Sequence, residues 1–458
     1  MPTVASNRYI TEGVIWKQIL RFFFPILLGS FFQQLYNTAD AVIVGRALGT
    51  EALASVGASS PILNLVYGFF IGISSGATVI LSQAYGAGDR ERVKKALHTA
   101  MALALTLGGI ITVAGVLLAP QVLSLIGTPE NCMKDAIVYC RIYFGGAAAS
   151  MVYNMGAGIL RAMGDSRRPM IFLIVCCFVN IAADMLFIYV FQMGIAGAAL
   201  ATILAQLISA VLVFVVLMRQ SGESKLEPKQ IRSHKNLLIS MLRIGIPAGI
   251  QLMMFDFSNL IVQSSINSFG DTTIAAWIAY GKTDAWTWQI SGALGVSVTT
   301  FVGQNFGAQK YDRVRRSVWV CMGLGVAMVG LLSVLEFTGR EFLLGIFTTD
   351  PEVIRIGGQM MVCIVLWNAI FIPIEVFAGT MRGTGYALQP TLIMCLSVCL
   401  FRILWILLAV KRWHTVFVLC LAYPISWVLC VLTFCVFYLK GDWLHGRIKA
   451  LGMTPEKR

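Results

Sequence analysis

Charged residues are scarce in this chain of 458 residues: Asp, Glu, Lys and Arg make up 12% of it, whereas hydrophobic residues make up 57%. This charged fraction is about half that of an average soluble domain, which excludes a water-soluble fold. A hydrocarbon core about 30 Å thick needs roughly 20 apolar residues per helix. The chain is therefore long enough for about twelve spanning helices joined by short loops, and no large soluble domain is left over.

The sequence also lacks the cysteine spacing of a zinc site or of a disulfide framework, because its 11 cysteines are scattered and those in apolar segments are not paired. We therefore interpret the cysteines as small residues that face the lipid or the core, and no metal site is certain. The first thirteen residues, MPTVASNRYITEG, lack the apolar run of a cleavable signal peptide. The N-terminus is expected to be retained.

Twelve apolar runs are present. They lie near residues 14–44, 52–83, 96–118, 132–157, 170–191, 194–218, 237–267, 272–303, 317–338, 353–380, 391–410 and 414–439. Lipid offers no partner to free backbone groups, and the runs lack the alternation of a membrane β-barrel, so they are predicted to be helices. The predicted fold class is an all-α polytopic membrane protein with twelve transmembrane helices. Pro25, Pro61 and Pro247 are predicted kink sites in unusually long runs.

Basic residues accumulate in the loops that follow even-numbered runs, as in RERVKK at 90–95, and are fewer in the loops that follow odd-numbered runs. Because basic loops resist translocation, both termini are predicted to lie in the cytoplasm, with the protein in a bacterial cytoplasmic membrane. The same alternation accounts for the net charge of +13 without a nucleic-acid partner.

An internal repeat divides the chain into two halves. SQAYGAGDRERVKKA at 82–96 aligns without gaps on GQNFGAQKYDRVRRS at 303–317, an offset of 221 residues. The same offset aligns AGILRAMGDSRRP at 157–169 with AGTMRGTGYALQP at 378–390. Each repeat holds six spans, an even number, so both enter the membrane from the same side. A pseudo-twofold axis along the membrane normal is expected to relate them.

The repeat sets the predicted domain boundaries. The N-lobe covers residues 14–218 and the C-lobe 237–440, with a cytoplasmic linker at 219–236 and cytoplasmic tails at 1–13 and 441–458. Two six-helix lobes that rock about a central cavity are typical of alternating-access transport. We expect a monomer in the lipid bilayer.

The chain lacks a nucleotide-binding motif that could power transport. Gly281, Lys282 and Thr283 match the end of a phosphate-binding loop, but Ala276 stands in place of its first glycine and the triplet lies inside an apolar run. Transport would therefore depend on an ion gradient, a partner or a downhill solute. No enzymatic activity is predicted.

Ionisable residues inside the apolar runs are candidate functional groups, because each costs roughly 2.5 to 3.5 kcal/mol to insert at a helix centre. The N-lobe has Asp40 in the first run and Asp184 in the fifth, with Asn180 one turn before Asp184 on the same face. The repeat partners of the two aspartates are apolar, which favours a specialised ion site in the N-lobe. Burial disfavours the charged form, so each aspartate could exchange a proton or a cation. The alternative is a structural carboxylate paired with a hydroxyl or an amide.

The C-lobe has its own charged set. The substrate cavity is predicted to be lined by Tyr36, Asn37, Asp256, Lys282, Asp284 and Glu375. Lys282 is predicted to pair with Asp256 or Glu375 across helices. Acidic groups beside Trp and Met side chains would suit an amphipathic organic cation, although such side chains also occur as packing or lipid-facing residues. Arg402 is predicted to be a local counter-ion or a snorkelling group.

Several motifs together resemble one family. They are ADAVIVGRALGTEALASVGASSP at 39–61, Pro25 fifteen residues before Asp40, the doubled GQNFGAQKYDRV element, and NIAADMLF followed by MGIAGAALAT. In these the chain resembles the multidrug and toxic compound extrusion (MATE) transporters, particularly the bacterial branch related to the DNA-damage-inducible transporter. The resemblance covers nearly the whole chain. It implies a twelve-helix, two-lobed exporter of cationic or amphipathic compounds driven by inward flow of H⁺ or Na⁺.

The resemblance also implies site residues. By position, Asp40 corresponds to the first-span aspartate of the family, and Asn180, Asp184 and Thr202 correspond to its N-lobe coupling site, with Tyr139 as a weaker match. In the family, protonation of the first-span aspartate is proposed to bend the first helix and expel substrate. One branch coordinates a cation with two acids of the C-lobe. These acids do not match here by position, which favours coupling in the N-lobe.

We therefore predict a secondary active multidrug antiporter that exports cationic or amphipathic small molecules in exchange for H⁺ or Na⁺, with no other cofactor. A lipid-linked oligosaccharide flippase of the same superfamily is the alternative. Such a flippase would be expected to show more spans or a cationic central cavity.

Overall fold

The computed structural model describes residues 10–440 and 443–450. Most of the two predicted cytoplasmic tails therefore lies outside the described residues. Within those ranges the chain is almost entirely helical and contains no strand. A helix satisfies its own backbone hydrogen bonds, which a long apolar segment in lipid requires. The predicted all-α class is confirmed.

The first half of the chain forms six helical spans. Its helices are α1 (Ile15–Leu48), α2 (Thr50–Gly86), α3 (Arg90–Leu125), α4 (Glu130–Gly145), α5 (Ala147–Ala162), α6 (Arg167–Asp184) and α7 (Gly194–Met218). Helices α4 and α5 form one span that bends by 47° at Gly146. Helix α6 continues without interruption as a π-helical segment, Met185–Val190.

The second half repeats this pattern. Its helices are α8 (Lys235–Asn267), α9 (Asp271–Gly307), α10 (Tyr311–Thr338), α11 (Arg340–Gly345), α12 (Pro351–Ile364), α13 (Asn368–Thr384), α14 (Leu388–Met394), α15 (Phe401–Trp405), α16 (Lys411–Trp413), α17 (Val416–Lys440) and α18 (Trp443–Ala450). A short 3₁₀ turn joins α12 to α13 in one span. Two π-helical segments link α14, α15 and α16 in another.

The twelve predicted runs all fall on helices. In the described part of the chain, ten helical segments are long and apolar enough to cross a membrane, and the bent pair α4–α5 is an eleventh. Helix α9 coincides with the eighth run and carries Asp271, Lys282 and Asp284; it is not among these eleven segments. Pro25, Pro61 and Pro247 lie inside helices that continue on both sides of each proline.

Contacts divide the chain into two compact units that differ from the predicted lobes. One is Arg21–Gly249; the other combines Ile10–Leu20 with the described residues from Ile250 onward. The cut falls inside α8 because the first half of that helix packs on α2. A Cβ atom on Gly72 would overlap the backbone of Gly249, so only glycine permits this approach. The predicted boundaries at the linker stay predictions.

The segment between α7 and α8 lies against the start of α3. The backbone N–H of Glu227 donates to His98 Nε2 at 3.1 Å, and the Glu227 carboxylate lies 3.5 Å from Lys94 Nζ. Further along, the His234 N–H donates to the Thr99 hydroxyl at 3.2 Å. This linker is therefore held on the first unit by specific polar contacts.

Candidate functional site

Two carboxyl groups of the first unit meet inside its helix bundle. Asp40 projects from α1 and Asp184 is the last residue of α6; they are 8% and 0% exposed. Their carboxyl groups lie close enough to share a hydrogen bond when one of them is protonated. The backbone changes from α-helical to π-helical hydrogen bonding directly after Asp184. Such π-helical turns are frequent at functional sites.

The other three predicted coupling residues are also buried in this unit. Tyr139 of α4 is close enough to interact electrostatically with both aspartates. Asn180 is fully buried one turn before Asp184, and the Thr202 hydroxyl donates to a carbonyl of its own helix, α7, at 3.3 Å. The structure thus brings Asp40, Asp184 and Tyr139 together. Asn180 lies one turn from Asp184 on the same helix, and Thr202 lies on α7. Their coupling roles stay predictions.

The polar atoms of this cluster lack partners. Asp40 Oδ1, both carboxyl oxygens of Asp184 and both amide atoms of Asn180 are buried without a hydrogen bond to any described residue. A buried carboxylate without a donor or a counter-charge is unfavourable, because it has lost its hydration and gained nothing in return. The cluster is therefore chemically suited to take up a proton or a small cation. We call it the N-site (Asp40, Tyr139, Asn180, Asp184).

Asp284 in the second unit has the opposite environment. It is 3% exposed and accepts three hydrogen bonds, from Tyr280 Oη at 3.1 Å, Trp288 Nε1 at 2.8 Å and Asn368 Nδ2 at 2.7 Å. Hydrogen bonds to a charged acceptor are the strong ones in proteins. The hydrogen bonds of Asp284 are therefore satisfied, and through Asn368 they connect α9 to α13.

The predicted ion pair of Lys282 is wrong. Glu375 pairs with Arg382, two helical turns later in α13, at 3.5 Å. Lys282 is exposed on α9 and makes no ion pair with Asp256 or Glu375 within the described ranges. Arg382, on the same helix as Glu375, therefore supplies the positive charge that was predicted to come from Lys282 on another helix.

A cavity of about 320 Å³ lies within the second unit. It is lined by Gln251, Leu252, Phe255, Asn259, Trp288, Ser291, Gly292, Phe371, Glu375 and Arg402. We call it the C-cavity. Four helical spans contribute to its wall, so its shape depends on the packing of the whole unit.

The residues predicted to line a substrate cavity are distributed differently. Glu375 lies in the wall of the C-cavity. Asp256 is half-buried on α8 outside that wall, and Asp284 is sequestered behind Trp288. In the first unit, Tyr36 is buried against Cys176 and Cys177, whereas Asn37 is exposed. A role of these side chains in substrate contact stays a prediction.

Arg402 was predicted to be a local counter-ion or a snorkelling group, and within the described chain it neither snorkels nor pairs with an acid. It is 1% exposed, and its guanidinium lies 4.0 Å from the centre of the Tyr423 ring. Its Nε donates to Ser426 Oγ at 3.2 Å. Aromatic rings of α17 pack against the guanidinium and stabilise its charge inside the unit, away from the membrane surface.

Sequence analysis missed two polar residues of the second unit. Glu336, near the end of α10, is 3% exposed, and both of its carboxyl oxygens lack a partner in the described chain. Asn368 begins α13 and donates to Asp284. Glu336 could have been found, since it is an acid within the ninth apolar run. Nothing in the local sequence of Asn368 marks its contact with a residue 84 positions away.

Comparison with known proteins agrees with the internal repeat. The MatE family model matches the chain twice, over residues 25–186 and 247–408, so the second match begins 222 residues after the first. The probable multidrug resistance protein YoeA of Bacillus subtilis is 31% identical over 406 residues, covering 87% of each chain. The multidrug export protein MepA of Staphylococcus aureus is 21% identical over 392 residues, covering 85% of this chain and 86% of that protein.

Solved structures share the fold. The outward-facing structure of a multidrug resistance MATE family transporter of the MOP superfamily superposes with a TM-score of 0.88 at 19% identity, covering 99% of this chain and 100% of the other. The match supports the two-lobed, twelve-helix class predicted from the repeat. With apolar helices throughout, the chain is a multi-pass membrane protein. It belongs to the MatE family and is a MATE family transporter.

Proposed function

We propose that this protein is a secondary active exporter of cationic or amphipathic organic compounds that exchanges its substrate for H⁺ or Na⁺ by alternating access. It would act in a bacterial cytoplasmic membrane, with both termini in the cytoplasm. One observation carries the proposal: the N-site joins two buried carboxyl groups that lack hydrogen-bond donors in the described chain.

Electrostatics makes this cluster sensitive to ion binding. Two carboxylates in contact repel each other, and the low-dielectric interior strengthens that repulsion. A proton or a cation between Asp40 and Asp184 removes it. The occupied and empty states of the N-site therefore differ in energy, which is what coupling to an ion gradient requires.

The backbone around the N-site has features that permit a change of shape. Pro25 removes one backbone hydrogen bond from the helix that carries Asp40. The π-helical segment Met185–Val190 follows Asp184 directly. Helices bend most readily at prolines and at π-helical turns. We infer that ion binding shifts the relative positions of α1 and α6 through these two points.

Export of drugs is supported by the names of the relatives, which include a multidrug export protein. The absence of a nucleotide-binding motif in the sequence favours an ion gradient as the energy source. A flippase receives no comparable support, since the relatives reported above are named as multidrug resistance or multidrug export proteins.

The test is gradient-driven transport by the purified full-length protein in proteoliposomes. A fluorescent cationic dye would be followed under an imposed pH gradient, an imposed Na⁺ gradient, or neither. We expect dye movement against its own gradient with one of the two ions and its loss when that ion gradient is collapsed by an ionophore. Dye movement that is indifferent to both gradients would refute the antiport mechanism.

A further inference from the structure

The wall of the C-cavity contains a guanidinium that lacks an acidic partner. Arg402 is 1% exposed, and its Nη2 has no hydrogen-bond partner among the described residues. Its Nε has only the neutral Ser426 hydroxyl. Arginine stays charged in proteins and presents five N–H donors. Most of its donor capacity is therefore still available.

The second charged residue of the wall does not compensate this charge. Glu375 is already paired with Arg382, at 3.5 Å. Arg402 instead lies 4.0 Å from the ring centre of Tyr423 and 5.9 Å from that of Trp427. Cation–π contacts of this kind stabilise a guanidinium in part and orient its plane, but they leave its N–H edge free to bind an anion.

Aromatic and aliphatic side chains form another part of the wall, beside the neutral polar Gln251, Asn259 and Ser291. Trp288 is fixed by its hydrogen bond to Asp284, and its ring packs edge-on against Phe371 with centroids 4.8 Å apart. Phe255 and Leu252 add apolar surface. A preformed aromatic wall beside a few polar groups is typical of sites for small organic ligands, which occupy about 300 to 1,000 Å³.

We propose that the C-cavity binds amphipathic organic carboxylates, zwitterions included, with the anionic group on Arg402 and the ring system against Trp288 and Phe371. Carboxylate and guanidinium match in planar, two-point geometry. This site extends the expectation drawn from sequence, which was an acidic cavity for cations. That these carboxylates are transported substrates rests on the proposed export function. Their binding to the C-cavity does not.

The test compares two dyes with one ring system: rhodamine B, whose benzoate makes it a zwitterion, and its ethyl ester, which is a permanent cation. Binding to the full-length protein in lipid nanodiscs is measured by fluorescence anisotropy without any ion gradient. We expect the native protein to bind the carboxylate more tightly. Arg402→Met should weaken binding of rhodamine B by about tenfold and leave binding of the ester unchanged.

Arg161→Met is the matched control, because it removes an arginine from the helices of the other unit, where Arg161 Nε is also buried without a partner. It should leave the preference between the two dyes unaltered. If Arg402→Met does not yield folded protein, Arg402→Lys keeps the charge but loses the two-point geometry. We expect a smaller loss of rhodamine B binding in that variant.

The proposal is overturned if the native protein binds the two dyes equally, binds neither, or keeps its preference in both Arg402 variants. Export is measured separately in proteoliposomes, so the two proposals can fail independently. Arg402-dependent binding without gradient-driven export supports the cavity assignment and refutes the exporter. Gradient-driven export together with a dye preference that does not depend on Arg402 supports the exporter and refutes the cavity assignment.

Discussion

The two units each bury an aspartate inside helical spans, and the two aspartates have opposite surroundings. Asp284 accepts hydrogen bonds from a tyrosine, a tryptophan and an asparagine. Asp184 accepts none within the described chain, although it is completely buried and lies against a second carboxyl group. A satisfied carboxylate stabilises the fold, whereas an unsatisfied one must be compensated by an ion. The surroundings of Asp284 are those of a carboxylate that links helices, whereas those of Asp184 favour binding of a proton or a cation.

The largest expected effect is the loss of transport when either aspartate of the N-site is replaced. Asp184→Asn should reduce gradient-driven dye export to the level of empty proteoliposomes, because a neutral amide cannot take up and release a proton. Asp40→Asn should have the same effect. The unfolding midpoint of both variants should be unchanged or slightly raised, since replacing an uncompensated buried charge removes an unfavourable term.

The control for these variants is Asp312→Asn, which changes an exposed acid in the first turn of α10. It should keep normal export. If Asp184→Asn and Asp40→Asn both exported dye at the native rate under the same gradient, the N-site would not be the coupling site.

The next effect concerns stability in the second unit. Asp284→Asn should lower the free energy of unfolding by about 3 kcal/mol, because three donors lose a charged acceptor and one of them then faces an amide NH₂ group. Thermal unfolding can be followed with a thiol-reactive fluorophore, since nine of the 11 cysteines are buried. A midpoint for Asp284→Asn as high as that of Asp184→Asn would erase the distinction between the two environments.

A smaller effect distinguishes the two tyrosines beside these acids. Tyr280→Phe removes one of the three donors to Asp284 and should destabilise the protein by about 1.5 kcal/mol. Tyr139→Phe should hardly change the unfolding midpoint, because the Tyr139 hydroxyl makes no hydrogen bond in the described part of the chain. The same thiol-reactive assay on both variants decides the point. Equal destabilisation would show that the N-site depends on hydrogen bonds that the present geometry does not contain.

The fold could be predicted from sequence because its signals are local or periodic. The apolar runs need no knowledge of neighbours, and the offset of 221 residues is visible in two gapless alignments. The glycine contacts between α2 and α8 were less accessible. Only the structure shows that Gly72 meets Gly249.

The candidate sites could be predicted only in part. Asp40 and Asp184 stand out because an acid in an apolar run is unfavourable wherever it points. The partners of such acids depend on packing between distant helices. Lys282 was therefore paired wrongly. Arg402 was predicted to be a local counter-ion or a snorkelling group, although it is enclosed by Tyr423 and Trp427. Charge can be located from a sequence, whereas the distribution of hydrogen-bond donors around it cannot.

The smallest expected effect concerns His234, which lies outside the membrane spans. Its titration adds to the pH dependence of the unfolding midpoint and must be separated from that of the N-site. Burial, together with the nearby charges of Arg232, Lys95 and His98, lowers the pKa of His234 below its ordinary value of about 6.5. The folded protein then binds fewer protons at this site than the unfolded chain, so its contribution to stability is present above pH 6.5 and is lost as pH falls through the lowered pKa. His234→Asn should remove this part of the acid sensitivity of the unfolding midpoint, measured between about pH 8 and pH 5. The pH dependence that persists in His234→Asn but disappears when Asp184→Asn is added would report proton binding at the N-site. An identical pH profile in the native protein and in His234→Asn would show that the linker histidine does not titrate with folding.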